Sequence, residues 1–444
     1  MEIVYRTSAQ CQSAALGRDI TFWLTVQHAI IGVTRRDAPN SLLVTQSYMA
    51  FYAGVGVSRQ LQDPEGAGRE AVGEALKKMG ADTADLAVVF ASSFYDQEAM
   101  LRGVRAALGG TPVIGCTSAG AITSSGVEEQ SVAVLAMKTD EGKFVPVKAT
   151  GIGADMRAAG KQFGEQLKGS GEEITMGFIF SDALAGNGTE LVRGVLDVMG
   201  REFKLAGGAA SDDMQFKKTY QYFNDEVLTD AAVGFGMTAP ILIAAGAEHG
   251  WKPIGTPRKV TKAEGTKLIE LDGKPAFEIY KDYFGERASD FKQALTLAAV
   301  SYPLGMHVKG VEEVMIRVPL AVGEDGSIVC GAEVVPGTEI TLMIGTLSST
   351  LWAAEATAKA AMEGMAGLQK RVIFVSNCVA RKILLGERGK EEIALLKAVG
   401  GENTEIFGFY SYGQVAPLKP PAENINTCDP GFYEQSISVT VCGY

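Results

Sequence analysis

Apolar runs that end in small polar residues alternate with helical stripes along most of this chain. Leu86 to Ala91 is an unbroken apolar run closed by Ser92, the pattern of a strand buried on both faces. After a polar loop, Met100, Leu101, Val104, Ala107 and Leu108 recur at i, i+1, i+4, i+7 and i+8, one face of a helix, which Gly109-Gly110 stops. A short strand, Pro112-Val113-Ile114, then runs into Gly115-Cys116-Thr117-Ser118-Ala119-Gly120. About 91 residues on, the sequence repeats itself. Met176 to Asp182 is the strand. Leu191, Val192, Val195, Leu196 and Met199 form the stripe, and Gly207-Gly208-Ala209-Ala210-Ser211-Asp212 follows. Arg102-Gly103 and Arg193-Gly194 occupy matching helix positions. A third copy runs from Val372-Ile373-Phe374-Val375-Ser376-Asn377-Cys378 through the stripe Ile393, Leu395, Leu396 and Val399. It ends in Gly408-Phe409-Tyr410-Ser411-Tyr412-Gly413-Gln414.

Strands joined through a helix are expected to lie parallel with a right-handed crossover, and their carboxyl ends are where α/β proteins place ligand sites. Each glycine-rich segment is followed by β-rich sequence with hairpin turns at Ser125-Gly126, Asp225, Asp230 and Asp325-Gly326, so antiparallel members join the sheets. The expected fold class is α/β (α+β): two pseudo-related multilayer halves with mixed sheets, built from repeated β-loop-α-β units and meeting near residues 240–250. Two further helices fit this layout. One carries the stripe Ala71, Val72, Ala75, Leu76 and Met79; the other is an alanine-rich stretch from a Ser-Ser-Thr cap to Leu368.

Composition narrows the function classes. The 444 residues are 46% hydrophobic and 21% charged with net charge −11, a globular balance without the basic stripe that nucleic-acid phosphates require. The six cysteines, at 11, 116, 330, 378, 428 and 442, form no Cys-x-x-Cys pair and are too sparse for a disulfide framework, which points to a reducing, cytoplasmic setting. The three histidines, His28, His249 and His307, are too far apart for a helical metal pair, and no metal or cofactor is expected. The best apolar run, Ile20 to Val33, is interrupted by Gln27 and His28 and falls short of the roughly 20 residues a membrane span needs. Residues 1–48 join poorly to the strand-like segment that opens at Met49. They read either as an extension or as a segment upstream of the true start. Gly151-Ile152-Gly153 lacks the third glycine of a dinucleotide fingerprint, no phosphate-loop motif occurs, and Phe409-Tyr410-Ser411-Tyr412-Gly413 fails as a nucleophile elbow at its first residue.

These segments resemble the FIST family of tandem FIST-N and FIST-C sensory domains. Gly115-Cys116-Thr117-Ser118-Ala119-Gly120-Ala121-Ile122 is similar to the family's Gly-Cys-Ser/Thr-Ser/Thr-Ala-Gly-Glu-Ile signature, and Gly207 to Asp212 to its Gly-Gly-Ala-x-x-Asp segment. Val260 to Gly265, then Leu271 to Ala276 and Tyr280, resemble the start of FIST-C. Cys378-Val379-Ala380-Arg381 and Gly408 to Gln414 resemble its Cys-x-x-Arg and Gly-Phe-x-x-x-Gly-Glu. Ala121 and Gln414 stand where the family usually has Glu, and Tyr433-Glu434-Gln435-Ser436 replaces an Asn-x-Thr-like segment. The resemblance implies an N-terminal extension over 1–48, a FIST-N-like domain over 49–245 and a FIST-C-like domain over 246–444. It also implies a small-ligand sensor of signal transduction working with a partner such as a histidine kinase or chemoreceptor.

The candidate site follows from residues at the strand ends. Arg381 is placed to grip the carboxylate of an amino acid or similar metabolite by two parallel hydrogen bonds; the competing reading is a structural Arg held by loop carbonyls or a buried acid. Asp182 and Asp212 either accept from a ligand ammonium or cap the next turn. Gly120, Gly208 and Gly413 allow close backbone approach, and Asn377, Thr117, Ser118, Tyr410, Ser411 and Gln414 supply further polar contacts. Cys116 and Cys378 line the ligand in this reading. A rival reading makes one of them the nucleophile of a transferase or hydrolase, which needs a base that the few histidines are poorly placed to supply. A second rival is a protein-binding scaffold without a small ligand.

Overall fold

The computed structural model of the chain describes residues 21–26, 29–34, 51–308, 314–401, 404–417 and 431–444. Apart from two antiparallel strands, Thr21–Val26 and Ala29–Thr34, the expectations for residues 1–48 lie outside the described residues. The chain divides into two compact units, residues 1–50 and 51–444.

Within the second unit the repeated pattern builds three six-stranded sheets of one topology. In each, two strands of a β-loop-α-β unit run parallel: Leu86–Ser92 with Val113–Ser118, Ile174–Ser181 with Lys204–Ala209, and Lys370–Cys378 with Glu405–Ser411. Each parallel pair is flanked by an antiparallel strand on the first member: Val132–Thr139, Ala231–Thr238 and Ile437–Gly443. The outer positions are filled by Phe51–Ser58, Phe144–Thr150 and Leu242–Glu248. The sheets are mixed, as the hairpin turns imply.

The other edge of each sheet comes from a different repeat. Ala121–Thr123, just past the first parallel pair, pairs with Glu405–Ser411 of the third sheet. Gln221–Phe223, after the second pair, joins Val113–Ser118 of the first, and Gly413–Val415, after the third, joins Lys204–Ala209 of the second. Three repeats therefore exchange edge strands in a cycle, where the sequence pattern alone suggested two halves. The strand Leu242–Glu248, at the expected junction, is itself bonded to Ile437–Gly443 at the far end of the chain.

One glycine per repeat makes the parallel pairs possible. A Cβ at Gly115, Gly207 or Gly408 would lie within 2.0 Å of the carbonyl oxygen of Val89, Ile179 or Val375, the partner residue in each register. Between the sheets lies one aromatic core. Phe90 stacks on Phe409 at 4.2 Å between ring centroids and meets Phe180 edge-on at 5.4 Å, so all three repeats contribute to it. Helices cover the outer faces in pairs. Gly103 lies against the Glu65 carbonyl and Gly194 against that of Arg157, which explains the matching Arg-Gly positions. Side chains of Asp63, Asp96, Asp155 and Asn187 cap four of these helices. The alanine-rich helix spans Leu347–Glu363, beginning before the expected Ser349 because Thr346 and Ser349 close a capping box.

The third repeat carries an insertion between its first strand and its first helix. This is an antiparallel sheet that includes Lys252–Glu264, Leu304–His307, Ile328–Cys330 and Glu339–Ile344, with short helices such as Leu295–Ser301. It has its own core around Leu268, Tyr280, Leu304 and Leu342.

Candidate functional site

A cavity of about 320 Å³ opens at the carboxyl ends of the parallel strands of the second and third repeats, under the insertion. Ser181 to Leu184 form one wall, Cys378 to Ala380 and Ile383 a second, and Leu297, Val300, Val318 and Leu320 of the insertion a third. Tyr412, Gly413, Phe432, Glu434 and Gln435 complete it. The lining is mainly apolar, and no Lys, Arg or His is among the described lining residues. Leu184, Met214, Phe216, Leu297, Leu320 and Ile383, all exposed, line the same space, so this opening collects much of the exposed apolar surface.

The sequence candidates separate into three groups. Cys378, Asp182 and Gly413 line the cavity. Asp182 Oδ1 accepts from Leu184 N at 2.9 Å and Thr219 Oγ1 at 2.8 Å, and Oδ2 from Asp230 N at 2.9 Å, so its carboxylate organises the wall. Burial pushes the Cys378 thiol up, against hydrogen bonds from the Ala380 and Gln435 backbone.

Asp212 acts from behind the rim. Its oxygens accept from the backbone of Phe216, Lys217 and Lys218 at 2.6–2.9 Å and from the Tyr412 hydroxyl at 2.5 Å. This fixes a loop in which Asp213, Met214 and Phe216 all hold positive φ, a strained backbone for residues other than glycine. Phe216 stacks on Tyr412 with centroids 4.5 Å apart. The loop displays Met214 and Phe216 at the cavity. Asp212→Ala is expected to cost about 2 kcal/mol by stranding these donors, and to make the chain cleavable near residue 214 in limited proteolysis.

The remaining candidates lie in a buried junction between repeats, away from the cavity. Thr117 Oγ1 accepts from Tyr220 N, Ala119 N bonds Ser211 Oγ, and Gly120 O accepts from Tyr410 N. Ser118 is buried beside them. Gly208 faces Ser376 Oγ and the Gly413 carbonyl where strands cross. Ser411 lies 3.0 Å from Ser376 and accepts from Gln414, whose Oε1 in turn receives Ser436 N and Oγ. Cys116 sits in the aromatic core with its thiol pushed well up by burial.

Arg381 corrects the sharpest expectation. Its side chain is fully enclosed and pairs with the equally buried Glu392. It also donates to the carbonyls of His249 at 2.7 Å and Thr350 at 2.8 Å, and Asn377 Nδ2 donates to Glu392. The competing reading, an Arg held by carbonyls and a buried acid, describes this geometry; the acid is Glu392 rather than Asp182 or Asp212. A carboxylate clamp by Arg381 would require breaking that pair. The thiolate reading meets a similar obstacle, since burial holds the thiols of Cys116 and Cys378 protonated.

Sequence reasoning missed Glu434, Gln435, Phe432 and the apolar wall from the insertion. The departure at Tyr433 to Ser436 was the available signal. That segment turns through Gln435, at φ +52°, and places Glu434 and Gln435 at the cavity.

The repeated sheets and strand-end cavity are those of a small-molecule sensory fold. The FIST N domain family matches residues 85–274 and the FIST C domain family residues 276–417, and the chain belongs to the FIST family. FIST domains are associated with sensing in signal transduction. An uncharacterized protein of Methanocaldococcus jannaschii, MJ1623, is 28% identical over 248 residues, which is 52% of this chain and 46% of that relative. The chain thus spans about half the length of the curated relative it matches. Among solved structures, T. maritima PurL complexed with ATP overlaps at TM-score 0.23 and 11% identity, covering 89% of this chain and 71% of that one. PurLQS from Thermotoga maritima overlaps at 0.22 and 10%, covering 89% of this chain and 73% of that one. Likeness at this level carries no argument. No helix among the described residues is long and apolar enough to cross a membrane.

Proposed function

We propose that this chain is a cytoplasmic small-ligand sensory protein of signal transduction and that its ligand occupies the strand-end cavity. The observation that carries the reading is the cavity itself: an apolar space of metabolite size, walled by two repeats and the insertion. An amino acid or similar small metabolite fits the volume, but its recognition does not run through Arg381. Exchanged edge strands tie the repeats together, so the response to ligand is local. It alters the loop that displays Met214 and Phe216 and hence the apolar rim offered to a signalling partner, such as a histidine kinase or chemoreceptor.

A thermal-shift screen of the full chain against amino acids and related metabolites tests this. Ligand at 100 times its Kd adds about 2.7 kcal/mol, a clear rise in midpoint. Ala183→Phe and Ala183→Trp, which fill a half-buried position in the cavity wall, are expected to abolish the rise in graded order while keeping the unliganded midpoint. A rise that survives both substitutions places the ligand elsewhere and ends the cavity reading.

A further inference from the structure

The chemistry of the cavity also selects among ligands. Its acceptors outnumber its donors: Asp182 and Glu434 bring carboxylates, and the described lining residues include no cation to balance them. An anionic ligand would enter an apolar space already biased against negative charge.

Gln435 makes the preference specific. The residue is fully buried and lines the cavity. Its Nε2 donates to the Ala299 carbonyl at 2.7 Å, and because a carbonyl can only accept, this fixes which end of the carboxamide is the oxygen. Oε1 is then turned the other way, buried, with no hydrogen-bond partner. Leaving such an acceptor unpaired is costly, and the backbone holds it there at φ +52°, a conformation glycine would adopt without strain. Strain and an unmet acceptor at one cavity position are what a recognition residue looks like before its ligand arrives.

We infer that the ligand of this cavity carries an apolar body and a hydrogen-bond-donating head, an ammonium, amide or hydroxyl, and that Gln435 Oε1 receives that donor. The inference rests on the cavity being the ligand site. It replaces the carboxylate expected from the sequence with the opposite polarity.

A matched probe series on the full chain tests it by calorimetry: phenethylamine, 2-phenylethanol, 3-phenylpropanamide, 3-phenylpropionate and propylbenzene. The three donor-bearing probes should bind at least about tenfold more tightly than the carboxylate. In Gln435→Met the donor-bearing probes should weaken about tenfold, toward propylbenzene, while propylbenzene itself is unchanged. The wild-type ranking needs no substitution and decides the matter if that variant does not fold. Tightest binding by 3-phenylpropionate, with Ala183→Trp abolishing it, overturns the donor inference and keeps the cavity. Binding that Ala183→Trp leaves intact, or no binding by any probe, overturns both.

Discussion

Glu392→Ala is expected to destabilise the fold by about 3–5 kcal/mol, the cost of leaving one member of a buried ion pair without its partner. Both side chains are fully enclosed. Without the carboxylate, the Arg381 guanidinium keeps only the carbonyls of His249 and Thr350, and Asn377 Nδ2 loses its acceptor. The groups involved come from the turn after Leu242–Glu248, the helix Leu347–Glu363, the end of Lys370–Cys378 and the helix Gly389–Gly400, so the loss falls on the whole third repeat. Arg381→Ala should be comparably damaging. Glu392→Gln, which keeps an acceptor for Asn377 but removes the charge, should fall between Glu392→Ala and the parent. Urea denaturation reads all three. A ligand-clamping Arg381 would behave in the opposite way: its removal would leave the unliganded midpoint unchanged and lower only the affinity.

That contrast shows what the sequence could and could not reveal. The strands, stripes and glycine segments were legible because burial on both faces writes continuous apolar runs and helical faces write a 3.6-residue period. The third copy was visible for the same reason. The closure of the three sheets was not, because short edge strands such as Ala121–Thr123 carry no period that names their partner, which lies almost 300 residues away in the chain. At the site, position at a strand end was legible for Cys378 and Arg381, whereas direction was not. Cys378 ends the strand facing the cavity, and Arg381 turns one helical face away into the interior. Glu392 sits in an ordinary-looking acidic first helical turn beside the exposed Glu391 pair with Arg388, and nothing in its spacing separates the buried acid from the solvated one. Gln435 was hidden for a different reason. Its meaning lies in a left-handed backbone and an unpaired oxygen, neither of which composition records.

Alkaline pH is expected to unfold the chain cooperatively well before its lysines titrate fully. Cys116, Cys330, Cys378 and Cys442 are all buried, and burial raises each thiol above its ordinary value of 9.0, Cys442 to about 12. Tyr222, Tyr280 and Tyr410 are buried too, with hydroxyls pushed well above 10.0 by the same desolvation. Each raised group favours the folded state fully below its unfolded value, and that contribution is lost as pH climbs toward the folded one. The unfolded chain binds fewer protons than the native chain in this window, so stability must fall as pH rises. Each group contributes about 1.4 kcal/mol per pH unit regardless of how far its folded value lies above the window, so four thiols give a slope of about 5 kcal/mol per unit above pH 9. A stability of ordinary size, about 5–15 kcal/mol, is then exhausted within one to three units, with the tyrosines steepening the fall above pH 10. Urea midpoints from pH 7 to 11 should be flat to about pH 8.5 and then drop sharply. Cys442→Ala should lessen the slope by the share of one thiol. A curve still flat at pH 11 would mean these thiols ionise in the native state, which would return Cys378 to consideration as a nucleophile at the cavity wall.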